Sequence, residues 1–309
     1  MVLDISIQYF LLAVLYTECM VGLTVNMIML AANLVKWKSL RSLQTCDKIL
    51  SSLAISRGLY FLSITIRNSF YQFFPWLQQS NIMLSALYVQ VMFMFYTTQW
   101  LVTLLCVFYC VKIVTYNYKL FIFLKTRIST MVPWLILSSL LISLISSLPY
   151  GWYGYNDLEL HLLSNDSTGN MTVYQLVIVP NYDHRILIFA LGNIPPFVIF
   201  CVSVSLLIHF LLIHTRQMRS NESHIQSPNL KSHFGALKSM SLFLLLQIMY
   251  FIFMNLFTSG RFFHFAFLIL LRWILLSSLS LLHSLYMISS STEVIKMFTS
   301  MCFCHIRSS

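Results

Sequence analysis

Seven times along the chain an apolar run recurs that is long enough for a helix to cross a bilayer: 9–35, 49–74, 84–113, 130–150, 186–213, 237–257 and 262–289. Such a helix needs roughly 20 mostly apolar residues, and it must satisfy its own backbone because hydrocarbon offers no water. Only 9% of the residues are charged and the mean hydropathy is +0.78. A soluble domain carries about 25% charged residues, so that class is excluded. The joins are short, and the expected architecture is one all-α seven-transmembrane helix bundle occupying residues 1–309. Period-2 alternation, internal repeats and paired broken half-helices do not stand out, which argues against a barrel or an inverted-repeat transporter. The first run is too long for a signal-peptide core, and only Asp4 precedes it as a charge, so it is expected to be an uncleaved anchor.

Basic residues set the orientation. Lys36, Lys38, Arg41 and Lys48 flank the first join, Lys112, Lys119, Lys125 and Arg127 the third, and Arg216, Arg219, Lys231 and Lys238 the fifth. The other side offers Arg67, Arg185, Arg261 and Arg272. The positive-inside rule then puts the N-terminus outside and the tail, with Lys296 and Arg307, in the cytoplasm. Topology and anionic inner-leaflet lipid account for the net charge of +10 without nucleic acid. The expected location is the plasma membrane, crossed several times.

The join from about 151 to 185 holds Asn165-Asp166-Ser167 and Asn170-Met171-Thr172, two sequons on the side that faces the secretory lumen. Asn165 and Asn170 are therefore expected to be glycosylated, while Asn221-Glu222-Ser223 lies in a cytoplasmic join and is expected to be silent. Cys19, Cys106, Cys110 and Cys201 fall inside spans, and Cys46, Cys302 and Cys304 at cytoplasmic ends, so no extracellular disulfide framework is expected. Cys302-Phe303-Cys304-His305 fits palmitoylated or reduced juxtamembrane cysteines better than a metal site. Neither metal nor cofactor is expected.

Ionisable groups inside a span cost roughly 2.5–3.5 kcal/mol by insertion scales and call for a partner or a role. Glu18, Gly22 and Asn26 share one helical face, and Arg57 lies about a third of the way into the second span. Glu18, Asn26 and Arg57 fit one buried polar network, either shifting between states or clamping helices statically. Arg67 and Arg272, near extracellular ends, either snorkel or line a wet pocket that favours anions. His283-Ser284 has no accompanying Gly-x-Ser-x-Gly, His-Glu-x-x-His or P-loop, so an enzyme lacks its acid, base and nucleophile.

In this order along the chain, several motifs resemble the type 2 taste receptors, the bitter receptors among G-protein-coupled receptors. Glu18, Gly22 and Asn26 match that family's first-span pattern, and Leu50-Ser51-Ser52-Leu53-Ala54-Ile55-Ser56-Arg57 its second. Phe108-Tyr109-Cys110-Val111-Lys112-Ile113 and Leu124-Lys125-Thr126-Arg127-Ile128 match the third, and Val132-Pro133-Trp134 the fourth. Leu206-Leu207 with His214 and Met218, then His233, Ala236-Leu237-Lys238 and finally His283-Ser284 complete the series. Rhodopsin-like signatures after the third span and in the seventh are missing. So is the usual extracellular cysteine bridge, which also argues against vomeronasal type 1 pheromone receptors, the alternative. Ser291, Glu293 and Ile295 depart from the family pattern after the seventh span, as do Gln247 in the sixth and Phe210 in the fifth.

The resemblance implies a small-molecule agonist in the outer bundle and a heterotrimeric G-protein, gustducin or another inhibitory-class subunit, with signalling through phospholipase C to calcium. Candidate ligand contacts are Val91, Met92, Phe95 and Gln99 on the third span, Tyr250 on the sixth, and Trp273 and Leu276 on the seventh. Val91 and Phe95 stand where many members place Trp and Asn, so a lipophilic agonist range is expected. Activation and coupling would fall to Glu18, Asn26, Arg57, Tyr109, Lys112, Lys125, Arg127, Lys238, His283 and Ser284. Lys112, Lys125, Arg127 and Lys238 would otherwise serve as anchors to anionic lipid.

Overall fold

The structure is a computed structural model that describes residues 2–73, 81–114, 119–153, 159–162, 174–177, 182–221, 241–242, 244–249, 251–253, 256 and 266–290. Apolar runs without water to hydrate their backbone close their hydrogen bonds within the helix. Helices accordingly dominate: α1 (Val2–Leu40), α2 (Thr45–Phe73), α3 (Asn81–Ile113), α4 (Lys119–Ser147), the short α5 (Tyr150–Tyr153) and α6 (Tyr182–Asn221). Helical residues at 244–249 and 251–253 make up α7, and α8 is Ala266–Ser290. Five of these helices are long and apolar enough to cross a membrane: Ser6–Leu40, Thr45–Phe70, Ser85–Ile113, Phe121–Ser147 and Leu187–Ile213. Two shorter apolar stretches, Leu244–Phe253 and Trp273–Ser289, fall within the runs expected at 237–257 and 262–289.

α3 is the most deeply buried of the five and packs against α2, α4 and α6, while α1 lies against α2 and α8. The periphery is apolar: on α4, Trp134, Leu137, Leu141 and Ile145 face outward. In a soluble protein so large an exposed apolar face would be a liability, but on a membrane helix it is the lipid-facing side. Proline is accommodated within helices at Pro133, Pro195 and Pro196. The Thr103 hydroxyl donates to the Pro196 carbonyl at 3.0 Å, which ties α3 to α6 at the proline pair.

Between α1 and α2 the turn is tight. Arg41 adopts the left-handed backbone (φ 51°), which stops α1 as a helix C-terminus commonly requires. Lys36 near the end of α1 pairs with Asp47 in the first turn of α2 at 3.0 Å, and a carboxylate there also suits the helix dipole.

Several boundaries differ from the hydropathy reading. α4 begins at Lys119 instead of about 130, and α1 and α6 run beyond 9–35 and 186–213 at both ends. Charged residues such as Lys38, Lys125 and Arg216 mark the apparent ends of an apolar run, whereas helical hydrogen bonding continues past them. The long join also contains an antiparallel pair, β1 (Glu159–Leu162) and β2 (Tyr174–Val177), with Glu159 opposite Val177. This hairpin is an addition to the all-helical expectation.

Candidate functional site

The Glu18–Gly22–Asn26 face of α1 is a seam with three different contacts. Glu18 accepts from the Ser277 and Ser278 hydroxyls of α8 at 2.6 and 2.7 Å. A turn inward, a Cβ on Gly22 would meet the Phe61 ring of α2 at 2.6 Å, so only hydrogen fits there. Another turn on, Asn26 donates to the Gly22 carbonyl at 2.7 Å and accepts from Ser284 at 3.3 Å.

Arg57 reaches the same serine from α2. Its Nη1 donates to Ser284 Oγ at 3.1 Å, and its Nη2 is hydrogen-bonded to His283 Nδ1. Arginine has only donors, so His283 must accept through Nδ1, which makes it the neutral tautomer carrying its proton on Nε2. Asn26, Arg57, His283 and Ser284 are all buried. Hydrogen bonds from a charged donor contribute roughly 1.5–3 kcal/mol each, enough to offset an insertion cost of a few kcal/mol. The structure thus joins Asn26, Arg57, His283 and Ser284. It gives Glu18 separate serine partners about two turns away along α8. Ser56 of α2 and Thr98 of α3 add a buried bond of 3.0 Å beside the network.

Above it, Val91, Met92, Phe95, Trp273 and Leu276 belong to one buried apolar cluster with Tyr96 and Phe189. Phe95 meets the Tyr96 ring edge-on with centroids 5.2 Å apart, and a Cβ on Gly192 of α6 would come 2.6 Å from Tyr96. The Tyr96 and Tyr150 hydroxyls are hydrogen-bonded at 3.0 Å. The Arg67 guanidinium lies over the Trp273 ring, 4.8 Å from its centroid. These candidate ligand contacts are therefore a packed wall in this state, because apolar side chains close on one another when nothing separates them. Tyr250 lies outside the described residues.

Gln99 is where the wall and the network meet. Its carboxamide oxygen accepts from the Gln247 amide of α7. Both glutamines line a cavity of about 20 Å³ with Arg57, Thr98, Ser280 and His283, and Val102, Leu246 and Leu279 supply its apolar walls. Pockets for organic ligands run to roughly 300–1,000 Å³, so this space suits a water or a small ion.

At the other end of α3, the Tyr109 hydroxyl is 3.1 Å from the Cys46 sulfur of α2. Lys112 and Arg127 are exposed, Lys125 is half-buried, and the Arg127 guanidinium lies 5.7 Å from the Phe123 ring centre. Lys238, Asn165 and Asn170 lie outside the described residues. Sequence reasoning missed Ser277, Ser278, Ser56 and Thr98 as partners. Their signal was present: hydroxyls recurring in otherwise apolar spans, of which Ser277, Ser278 and Thr98 back-bond their own helix and still reach a neighbour.

A profile described as Taste receptor protein (TAS2R) matches residues 3–306. Taste receptor type 2 member 39 of Mus musculus is 32% identical over 250 residues, covering 80% of this chain and 76% of that one. The member 39 of Homo sapiens is 30% identical over 246 residues, 77% of this chain and 70% of that one. Taste receptor type 2 member 9 of Homo sapiens is 30% identical over 235 residues, 76% and 74%. These likenesses favour taste receptors over the vomeronasal alternative, and they identify a receptor family, not an enzyme family. With its apolar helices, the chain is a multi-pass membrane protein, and it belongs to the type 2 taste receptor family.

Proposed function

We propose that this chain is a seven-span bitter receptor of the plasma membrane, N-terminus outside and C-terminus cytoplasmic. It senses small lipophilic molecules and signals through gustducin or another inhibitory-class G-protein to phospholipase C and calcium. The charge bias of the joins supports the orientation. The observation that carries the mechanism is the contact of Gln99 with both layers: it sits one turn from Phe95 and lines the cavity beside Arg57 and His283. An agonist that parts the aromatic wall between α3 and α8 moves Gln99 and its partner Gln247. The Arg57–His283–Ser284 network then re-forms around a shifted α7. An agonist drives this only to the extent that it binds the shifted arrangement more tightly. The exposed cations Lys112 and Arg127, with Lys238, form the positive cytoplasmic field for the G-protein.

A concentration–response series at matched surface expression tests the ligand site. Tyr250→Ala is expected to weaken every agonist, and Tyr250→Phe only those that carry a hydrogen-bond acceptor, by about tenfold for one lost bond. Phe95→Asn is expected to alter the agonist range. Unchanged potencies in both Tyr250→Ala and Phe95→Asn would remove the site from where it is proposed.

A further inference from the structure

The cavity beneath Gln99 carries chemistry that the agonist mechanism does not use. It is lined by the Arg57 guanidinium, the Ser280 hydroxyl, the amides of Gln99 and Gln247, and His283, together with Thr98, whose own hydroxyl already donates to the Met94 carbonyl at 2.9 Å. All but Gln247 are at least nine-tenths buried. A guanidinium has five N–H donors and no acceptor, so Arg57 can hold an anion while keeping Ser284 and His283. His283 accepts through Nδ1, which leaves Nε2 as its N–H. Gln99 accepts from Gln247 through its oxygen, which makes its own nitrogen a donor. The formal charge brought to these walls is the single positive charge of Arg57, since the other five side chains are neutral. A cation is repelled there, and a space of about 20 Å³ favours a small ion over an organic one.

We propose that this cavity is a binding site for a small monovalent inorganic anion of the chloride class, bridging α2, α3, α7 and α8. Low surrounding dielectric strengthens the attraction of the buried guanidinium for such an ion. Because the ion touches four helices, its occupancy stabilises the arrangement in which they meet and opposes their separation. The inference concerns the resting bundle and holds whichever agonist the receptor takes.

The full chain, purified in lipid nanodiscs, is melted in sodium chloride, sodium bromide and sodium gluconate at equal ionic strength. Chloride and bromide are expected to raise the melting temperature saturably, by roughly 3 °C at about ten times the half-saturating concentration. Gluconate, too large for the cavity, is expected not to. Ser280→Val, which fills the space without touching Arg57, is expected to flatten the chloride curve while the protein still melts cooperatively. Coincident curves in chloride and gluconate, or a rise that never saturates, would mean that the cavity holds water only. A saturable rise that persists in Ser280→Val would put the anion elsewhere and overturn the site.

Discussion

Gly22 and Gly58 both sit at the α1–α2 interface, and the structure separates them by what a methyl group would meet. At Gly22 it meets the fully buried Phe61 ring at 2.6 Å, and at Gly58 only a Leu23 methyl at 3.6 Å. Overpacking of a closed core costs about 1–3 kcal/mol, whereas alanine exceeds glycine in a helix by about 1 kcal/mol. Gly22→Ala is therefore expected to lower the melting temperature of the purified receptor, and Gly58→Ala to leave it level or raise it. Equal melting of the two variants would mean that α1 and α2 are not held this closely. Spacing alone put Glu18, Gly22 and Asn26 on one face, but their partners were not legible. Which serine answers Glu18, and that Asn26 and Arg57 share Ser284, depends on how α8 rotates against α1. That rotation is set by packing across helices distant in sequence.

At the scale of elements, the apolar runs were legible and their ends were not. Lys119–Thr130 reads as a join because Lys119, Lys125 and Arg127 punctuate it, yet it forms the first turns of α4 and carries Lys125 and Arg127 on a helix. The charges obscure the apolar Phe121, Ile122, Phe123 and Leu124, which belong to the long apolar helix Phe121–Ser147. The β1–β2 hairpin escaped for a related reason, since two four-residue strands are too short to show a period. The placement of Arg127 sharpens its test. It is exposed, and its guanidinium lies near the Phe123 ring of its own helix, so among the described residues its removal disturbs little packing. Arg127→Ala is expected to abolish agonist-evoked signalling while surface expression largely survives. Normal signalling at matched surface levels would reduce the cation to a lipid anchor.

For the whole molecule, orientation and gating are two separate claims. Charge bias alone puts the β1–β2 join outside, so glycosidase is expected to shift the mobility of the parent and not that of Asn165→Gln/Asn170→Gln. A glycan kept in that double variant and lost on Asn221→Gln would invert the topology. Family membership follows from likeness along almost the entire chain, but it does not say what opens this particular bundle. The apolar wall at Val91 and Phe95, packed directly above the Gln99–Gln247 pair, is the reason to expect lipophilic agonists. The most direct measurement is calcium mobilisation in cells that express the parent chain with a promiscuous G-protein, challenged with a panel of bitter compounds spanning polar to lipophilic. The account predicts saturable, receptor-dependent calcium responses, concentrated among the lipophilic compounds and absent from mock-transfected cells. Confirmed surface expression with no receptor-dependent response across the panel, or responses confined to its polar members, would contradict it.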